Sequence, residues 1–431
     1  MDTQIADFIE PAFLREQLAN AFAQVRRKHV SVGFHFGGES SHALISDATG
    51  GKTALAMPTG CLTKLFTATL ASQAVTTRWF GLDDRIAELL PRPAQQDALG
   101  EVTIRHLLEH THGLDDSMID RAPLRADGFI DSDALRTQVS AVPRLTEPGE
   151  LYSYANVGAW LIAAVLERCS GQPYETLLRE QLFAPLDIVL DRRSSHRMIC
   201  PSVGGTLAIS VTHMLEFLRS HGLKCPEQWP SDGQCGAFGE IVPLPGWNVL
   251  ERGVYLGWKY HGAGWFGHNS TWPGASALAR VQPQRGIAIV VASRNLAASV
   301  VATKVFGRLL PELVDLRIPQ LLSIEETRDL DRRRYVGVYR SAARSVSIST
   351  VGDGLELSAR HRGKGGAGHA HPVDAVLRAA AKEVFFTRPV DTQSFPFVQF
   401  VAPCPDHFQY LWNGRFVLRR AACPASRTPE A

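Results

Sequence analysis

Near the start of the chain, Leu14, Leu18, Phe22 and Val25 recur at helical spacing, with Pro11 suited to a first turn. The pattern predicts a helix over Pro11–Arg27. The period then changes to two: Val30–Phe36 and His42–Ser46 alternate around Gly37-Gly38-Glu39-Ser40, which reads as a β-hairpin. A new apolar-periodic segment opens at Gly60-Cys61-Leu62-Thr63-Lys64-Leu65-Phe66-Thr67-Ala68, placing Cys61 in the first turn of a second helix. Farther on, Val157 to Cys169 predicts a helix that stops near Gly171. Residues 220–260, rich in Gly, Pro and Trp, read as long loops that wall a pocket. Ala277–Val281 and Ile287–Ala292, joined by Pro283-Gln284-Arg285-Gly286, predict another hairpin, followed by a helix from about Ala297 to Leu310.

Beyond about Ser323 the pattern becomes a series of short apolar or alternating runs. These are Tyr335–Tyr339, Val346–Val351, Leu355–Ser358, Phe385–Thr387, Phe397–Val401 and Phe408–Leu411. Asn413-Gly414 before Phe416–Leu418 is a strong hairpin signal. His361, His369 and His371 fall in a Gly-rich stretch that reads as a mobile loop rather than a metal site.

With 431 residues there is room for two or three domains with substantial cores. A 45% hydrophobic, 20% charged composition with formal net charge +2 makes no electrostatic case for nucleic acid or a membrane as partner. No apolar run approaches the length of a membrane span. The seven cysteines are odd in number, irregularly spaced and without a Cys-x-x-Cys pair. That usage, together with an N-terminus lacking a basic and an apolar signal region, leads us to expect a reduced, cytoplasmic protein.

The candidate chemistry begins at Cys61. Residues three apart on a helix share a face, so the Cys61 thiol and the Lys64 amine are expected to meet in one pocket. Free backbone N–H groups in a first turn stabilise a thiolate there. Two later segments each add polar groups at about 90–115 residue intervals: Tyr154-Ala155-Asn156, and Trp265-Phe266-Gly267-His268-Asn269-Ser270-Thr271. His106 and His110, four apart, read as packing residues, since no third ligand has a defined place beside them.

These segments together resemble the class C β-lactamase-like and penicillin-binding-protein-like serine hydrolase family, which includes esterases and transesterases. Cys61-Leu62-Thr63-Lys64 followed by Phe66-Thr67-Ala68 resembles its Ser-x-x-Lys word, with cysteine in place of the nucleophilic serine. Thr103-Ile104-Arg105-His106-Leu107-Leu108-Glu109-His110-Thr111-His112-Gly113-Leu114 resembles a second segment of that family, with His112 replacing serine. Tyr154-Ala155-Asn156 is similar to the Tyr-x-Asn motif. The His268 segment stands where β-lactamases read Lys-Thr-Gly, and Ser270 replaces the usual glycine.

The resemblance implies an α/β, β-lactamase/transpeptidase-like fold, in which helices flank an antiparallel sheet beside an all-helical subdomain. It places the catalytic domain at residues 1–312 with a helical insert at about 62–205. A small antiparallel, lipocalin-like barrel is expected at 323–422, and a disordered tail at 423–431. It also implies an acyl-enzyme mechanism: Cys61 as nucleophile, Lys64 and Tyr154 as the acid/base pair, and His268 supporting Tyr154 or substrate. Asn156, Ser270 and Thr271 fall at substrate-binding positions, and the backbone N–H groups of Cys61 and Thr271 form the oxyanion hole. No metal and no cofactor is implied.

A thiol ionises more readily than an alcohol, and a thioester passes its acyl group readily to amines. The expected function is therefore acyl transfer from a small-molecule donor to an amine or alcohol acceptor, of the kind found in secondary metabolism and antibiotic biosynthesis. Two alternatives stay open: an esterase or amidase using water, and a catalytically inactive ligand-binding homologue or Ser→Cys variant.

Overall fold

A computed structural model describes residues 2–25, 29–46, 57–91, 99–119, 122–188, 207–224, 226–230, 236–245, 251–272, 274–307, 310, 326, 330–361, 373–381, 383–387, 397–413 and 415–421. The predicted N-terminal helix forms as Pro11–Ala21, and the first hairpin as β1 (His29–Phe36) and β2 (Glu39–Ser46). Two short strands, β3 (Met57–Pro58) and β4 (Ala208–Ile209), pair with each other. Then come β5 (Val242–Pro243), β6 (Gly253–Tyr255), β7 (Trp258–Gly262), β8 (Trp265–Trp272), β9 (Ala275–Gln282) and β10 (Ile287–Arg294). With β1 and β2 they form an eight-stranded antiparallel sheet in the order β2-β1-β10-β9-β8-β7-β6-β5.

Side-chain alternation divides the core between the two faces of this sheet. On the central strand β10, Ile287, Ile289 and Val291 join Val30, Val32 and Phe34 of β1 against Leu14, Leu18, Val301 and Phe306. Those last four come from Pro11–Ala21 and from the C-terminal helix, observed as Ala298–Phe306. Ala288, Val290 and Ala292 point the other way, into a larger core with Leu65, Phe66, Trp160, Leu161 and Leu215. Two helices dominate that second layer. Thr63–Thr76 carries the cysteine motif, and Val157–Ser170 is buried along its length from Val157 to Glu167 and stops at Gly171, whose φ is +71°.

One expectation changes here, and the two histidines read as packing residues take separate places. The region 220–260 is not all loop, because β5, β6 and β7 extend the sheet at one edge. Their runs are two to five residues long, too short for periodicity to show. His106 and His110 do not share a helix face either. The helix Ile104–Leu108 has ended before His110, which has a left-handed backbone with φ +56°. His106 instead completes a capping box with Thr103.

The C-terminal region is a closed eight-stranded antiparallel barrel. Its strands are β11 (Gly337–Arg340), β12 (Arg344–Val351), β13 (Gly354–His361), β14 (Val373–Ala381), β15 (Val384–Phe386), β16 (Phe397–Pro403), β17 (Phe408–Trp412) and β18 (Val417–Arg420). Strand β14 escaped the sequence pattern, for its Ala-rich composition has weak strand preference. The interior is a packed aromatic core: the Tyr335 ring lies 4.9–5.1 Å from those of Phe385, Phe400 and Phe408. The expected boundaries at 312 and 323, the tail 423–431, and His369 and His371 lie outside the described residues.

The barrel's outer face is apolar where it meets the sheet region. Val384, Phe386, Phe397, Tyr410, Trp412 and Val417 pack with Tyr152, Tyr154, Leu244 and Val254 in one cluster. Polar contacts join the same two parts. Ala342 N donates to Asp115 Oδ2 at 2.6 Å, Val417 N to Ser153 Oγ at 3.2 Å, and Tyr154 N to Arg415 O at 2.8 Å.

Candidate active site

Cys61 sits where the chain leaves β3 for the motif helix. Thr59 is tied back to Leu207, its N–H donating to that carbonyl at 2.7 Å, and its hydroxyl lies 2.9 Å from that of Thr63. Gly60 adopts φ +50°, and a Cβ there would fall 2.0 Å from Ser270 Oγ, so only glycine fits. Gly60–Leu62 form a single 3-10 turn and the α-helix proper begins at Thr63. The expected position of Cys61 in the first α-turn is thus corrected by one tight turn. The thiol is half-buried and Lys64, on the helix, is buried.

Tyr154 and Asn156 arrive from an extended segment and the start of Val157–Ser170. Asn156 occupies the N-cap but does not cap with its side chain. Asp116 Oδ2 takes over that task, accepting from Asn156 N and, at 3.2 Å, from Val157 N. The Asn156 amide is thereby free to accept from Lys64 Nζ at 2.9 Å. Three cations approach the Tyr154 ring: Arg415 Cζ at 4.7 Å, Lys64 Nζ at 4.8 Å and Lys259 Nζ at 5.2 Å from its centroid. The rings of His110 and His268 stand 4.7 and 6.0 Å from it. The buried phenol oxygen has no nitrogen or oxygen partner, and the Cys61 thiol is its neighbour.

These surroundings set the proton positions. Burial pushes the Cys61 thiol up, but Lys64, the Tyr154 hydroxyl, Arg415 and Lys259 together outweigh it and leave it below its ordinary value. Burial pulls Lys64 down to about 8, with Arg415 and Lys259 acting in the same direction against Cys61 and Asp116. Tyr154 is held well above the usual phenol range by burial and by Cys61, so it keeps its proton at neutral pH. His268 is held well below its usual range by burial, Lys259 and Lys64. As a neutral ring it donates Nδ1–H to Asn269 O at 2.7 Å, which leaves Nε2 a buried acceptor with no partner.

Among the expected site residues, Cys61, Lys64, Tyr154, Asn156 and His268 converge. Ser270 is buried beneath the Cys61 turn, against Gly60. Thr271 is exposed farther along β8, opposite Ser276. His110, expected only to pack, also stands at this centre, together with four residues that carry no motif signal: Asp116, Lys259, Glu251 and Arg415. Of those four only Asp116 had a local cue, an acidic side chain placed shortly after the His112-Gly113-Leu114 turn.

The loop region divides between two places. Leu244, Val254 and Lys259 face Tyr154. Gln228, Trp229, Phe238, Tyr255 and Trp258 instead wall a cavity of about 280 Å³ on the far side of the motif helix, against Thr69 and Gln73. Among the described residues no group of three or more His, Cys, Asp or Glu side chains is arranged to hold a metal, and no helix is long and apolar enough to cross a membrane.

Residues 36–191 match the family model described as Beta-lactamase. A crystal structure of SurE with D-Leu superposes with a TM-score of 0.70, covering 96% of this chain and 99% of that one at 23% identity. The chain has the β-lactamase/transpeptidase-like fold. In this β-lactamase-like chain the barrel is part of the shared architecture, since the superposition spans nearly all of both proteins. Penicillin-binding protein 4 of Amycolatopsis lactamdurans is 27% identical over 65% of this chain and 83% of its own. Acyltransferase mokF of Monascus pilosus is 29% identical over 29% of this chain and 35% of its own length.

Proposed function

We propose that the chain is an acyltransferase in which Cys61 carries the acyl group as a thioester. The observation behind this reading is the place of Cys61 at the head of the motif helix beside Tyr154, whose ring Lys64, Arg415 and Lys259 surround at 4.7–5.2 Å, a setting that draws the thiol down from its ordinary value. The Cys61 thiolate attacks the donor's acyl carbon and a C–S bond forms. Backbone N–H groups of Cys61 and Thr271 receive the oxyanion, the bond from the acyl carbon to the leaving group breaks, and the leaving group departs with a proton from the Lys64 ammonium, passed on through Tyr154, so that Lys64 is left neutral. An acceptor amine then attacks the thioester and gives its proton to neutral Lys64. A C–N bond forms, the C–S bond breaks, and the thiolate returns.

A lysine near 8 suits both halves, being populated as acid and as base around neutral pH. His268 Nε2, an unpartnered acceptor, serves as a site for a substrate N–H or O–H. The resemblance to a protein named acyltransferase agrees with acyl transfer, and the D-Leu that accompanies SurE in the superposed structure agrees with a donor ending in a D-configured residue. Three cysteines free among the described residues fit a reducing, cytoplasmic setting.

Intact-mass measurement after mixing with an N-acetylcysteamine thioester whose acyl group ends in a D-amino acid is expected to show one acyl adduct, absent in Cys61→Ala. With amine acceptors the parent is expected to release amide, and Cys61→Ser to shift its products toward free acid. An adduct retained in Cys61→Ala sinks the assignment of the nucleophile. Free acid alone with every acceptor makes the protein a hydrolase.

A further inference from the structure

Glu251 and Lys259 form an ion pair that no motif contains. Lys259 Nζ lies 2.5 and 2.6 Å from the two Glu251 oxygens, and the side chains are 12% and 11% exposed. A pair this buried is a poor source of stability, because desolvating two charges offsets most of their attraction. Its position is more informative. Lys259 stands on β7 opposite Val254 of β6 and Gly267 of β8, one residue from His268. Its ammonium reaches to 5.2 Å from the Tyr154 ring, while Lys64 approaches the same ring at 4.8 Å.

The two lysines are held differently. Lys64 donates to a neutral amide, that of Asn156, and nothing in that bond prevents it from losing a proton. Lys259 is gripped on both oxygens of a carboxylate, which holds its ammonium in one place. We propose that Lys259, clamped by Glu251, is a positioning residue: a fixed positive charge that keeps Cys61 as thiolate while Lys64 gives and takes the proton. The proposal rests on Cys61 being the reacting thiol.

The other ionisable groups at this centre come from every side. Lys64 faces it from the motif helix, Tyr152 and Tyr154 from the segment before Val157, and His110 from the turn after Leu108. His268 faces it from β8, Asp116 from beneath Asn156, and Arg415 from the barrel hairpin. Lys259 influences Cys61, Lys64, His110 and His268 alike, in each case toward the form with less positive charge. When Lys64 is neutral, Lys259 and Arg415 are the cations left beside the thiolate. Arg415, the larger influence on Cys61, reaches in from the barrel hairpin, whereas Lys259 belongs to the sheet itself and is held in place by Glu251.

The test follows iodoacetamide alkylation of Cys61 against pH, read at the level of the Cys61 peptide, in the full-length parent, Lys259→Met, Lys259→Arg and Glu251→Gln. Lys259→Met is expected to raise the alkylation midpoint by roughly one pH unit and slow the reaction at pH 7 by roughly tenfold. Lys259→Arg is expected to keep the parent midpoint. Glu251→Gln, which leaves the cation and removes its counter-charge, is expected to lower it. Opposite shifts from the two halves of one ion pair are not produced by a merely structural role. A folded Lys259→Met with the parent midpoint overturns the proposal. Should that variant fail to fold, Glu251→Gln decides, and an unchanged or raised midpoint there overturns it equally. Parent Cys61 alkylating no faster than Cys169 and Cys404 would remove the reading of Cys61 itself, and this proposal with it.

Discussion

At the scale of single residues, the site is governed by where charge is buried. Lys64, Asn156 and Asp116 form a relay of support: Asp116 caps a helix so that Asn156 is free to hold Lys64. Asp116→Asn, which weakens that cap, is expected to reduce acyl-enzyme formation by tenfold or more while leaving the fold intact; a rate equal to the parent's would show that Asn156 holds its place unaided. His112 is the second case. Its Nδ1 accepts from Leu114 N at 3.0 Å, and burial pulls it down to about 3.

The folded chain therefore leaves His112 unprotonated where the unfolded chain binds a proton, from about pH 6.5 downward. That costs stability as pH falls, roughly 1.4 kcal/mol per pH unit for this one group. His112→Asn, which can still accept from Leu114 N, is expected to lose roughly 2 kcal/mol less than the parent between pH 7 and pH 5 in urea unfolding. Equal losses would place the acid sensitivity elsewhere.

At the scale of elements, the 3-10 turn Gly60–Leu62 and strand β8 are built as a matched pair. The absent side chain at Gly60 makes room for the Ser270 hydroxyl, and φ +50° at the same residue turns Cys61 toward Tyr154. Gly60→Ala is expected to destabilise the fold by about 1–3 kcal/mol through backbone strain, with the collision added. Ser270→Gly in the same chain should relieve the collision but not the strain, and full recovery or none in thermal unfolding would refute that division.

Strand β8 also bears on substrate choice. It carries His268 as a neutral ring, and the neighbouring strand's Lys259 is already engaged by Glu251. A β-lactam carboxylate thus lacks a ready ammonium partner on these strands, and efficient nitrocefin turnover is not expected. Steady turnover by purified protein would overturn this.

On the scale of the whole molecule, the barrel functions as a wall of the site. Its interior is filled by Tyr335, Phe385, Phe400 and Phe408, while its outer face packs on Tyr152 and Tyr154 and its last hairpin delivers Arg415. Trp412 lies fully buried in that junction. Calorimetry is expected to show one cooperative transition, and Trp412→Ala to lower stability by about 3–5 kcal/mol for the molecule as a unit. Two separate transitions, with only the barrel's moved by the substitution, would show that the junction does not couple the parts.

The order and spacing of Cys61, Lys64, Tyr154, Asn156 and His268 were legible in the sequence because each motif is local. A turn, a helix start or a strand fixes which neighbours share a face within a few residues. The alternation in β1, β9 and β10 was legible for the same reason. Strand β14 and the short edge strands β5 to β7 were not: Ala-rich runs and runs of two to five residues carry too little period, and pairing with a formed neighbour makes them strands. Lys259, Glu251 and Arg415 were beyond reach because nothing in a local pattern says which distant side chain will be brought to Tyr154. Tertiary structure alone decided the proton positions as well, since desolvation and the sum of nearby charges, which shift Cys61, Lys64 and His268 from their ordinary values, exist only once the sheet, the helical layer and the barrel have closed around them.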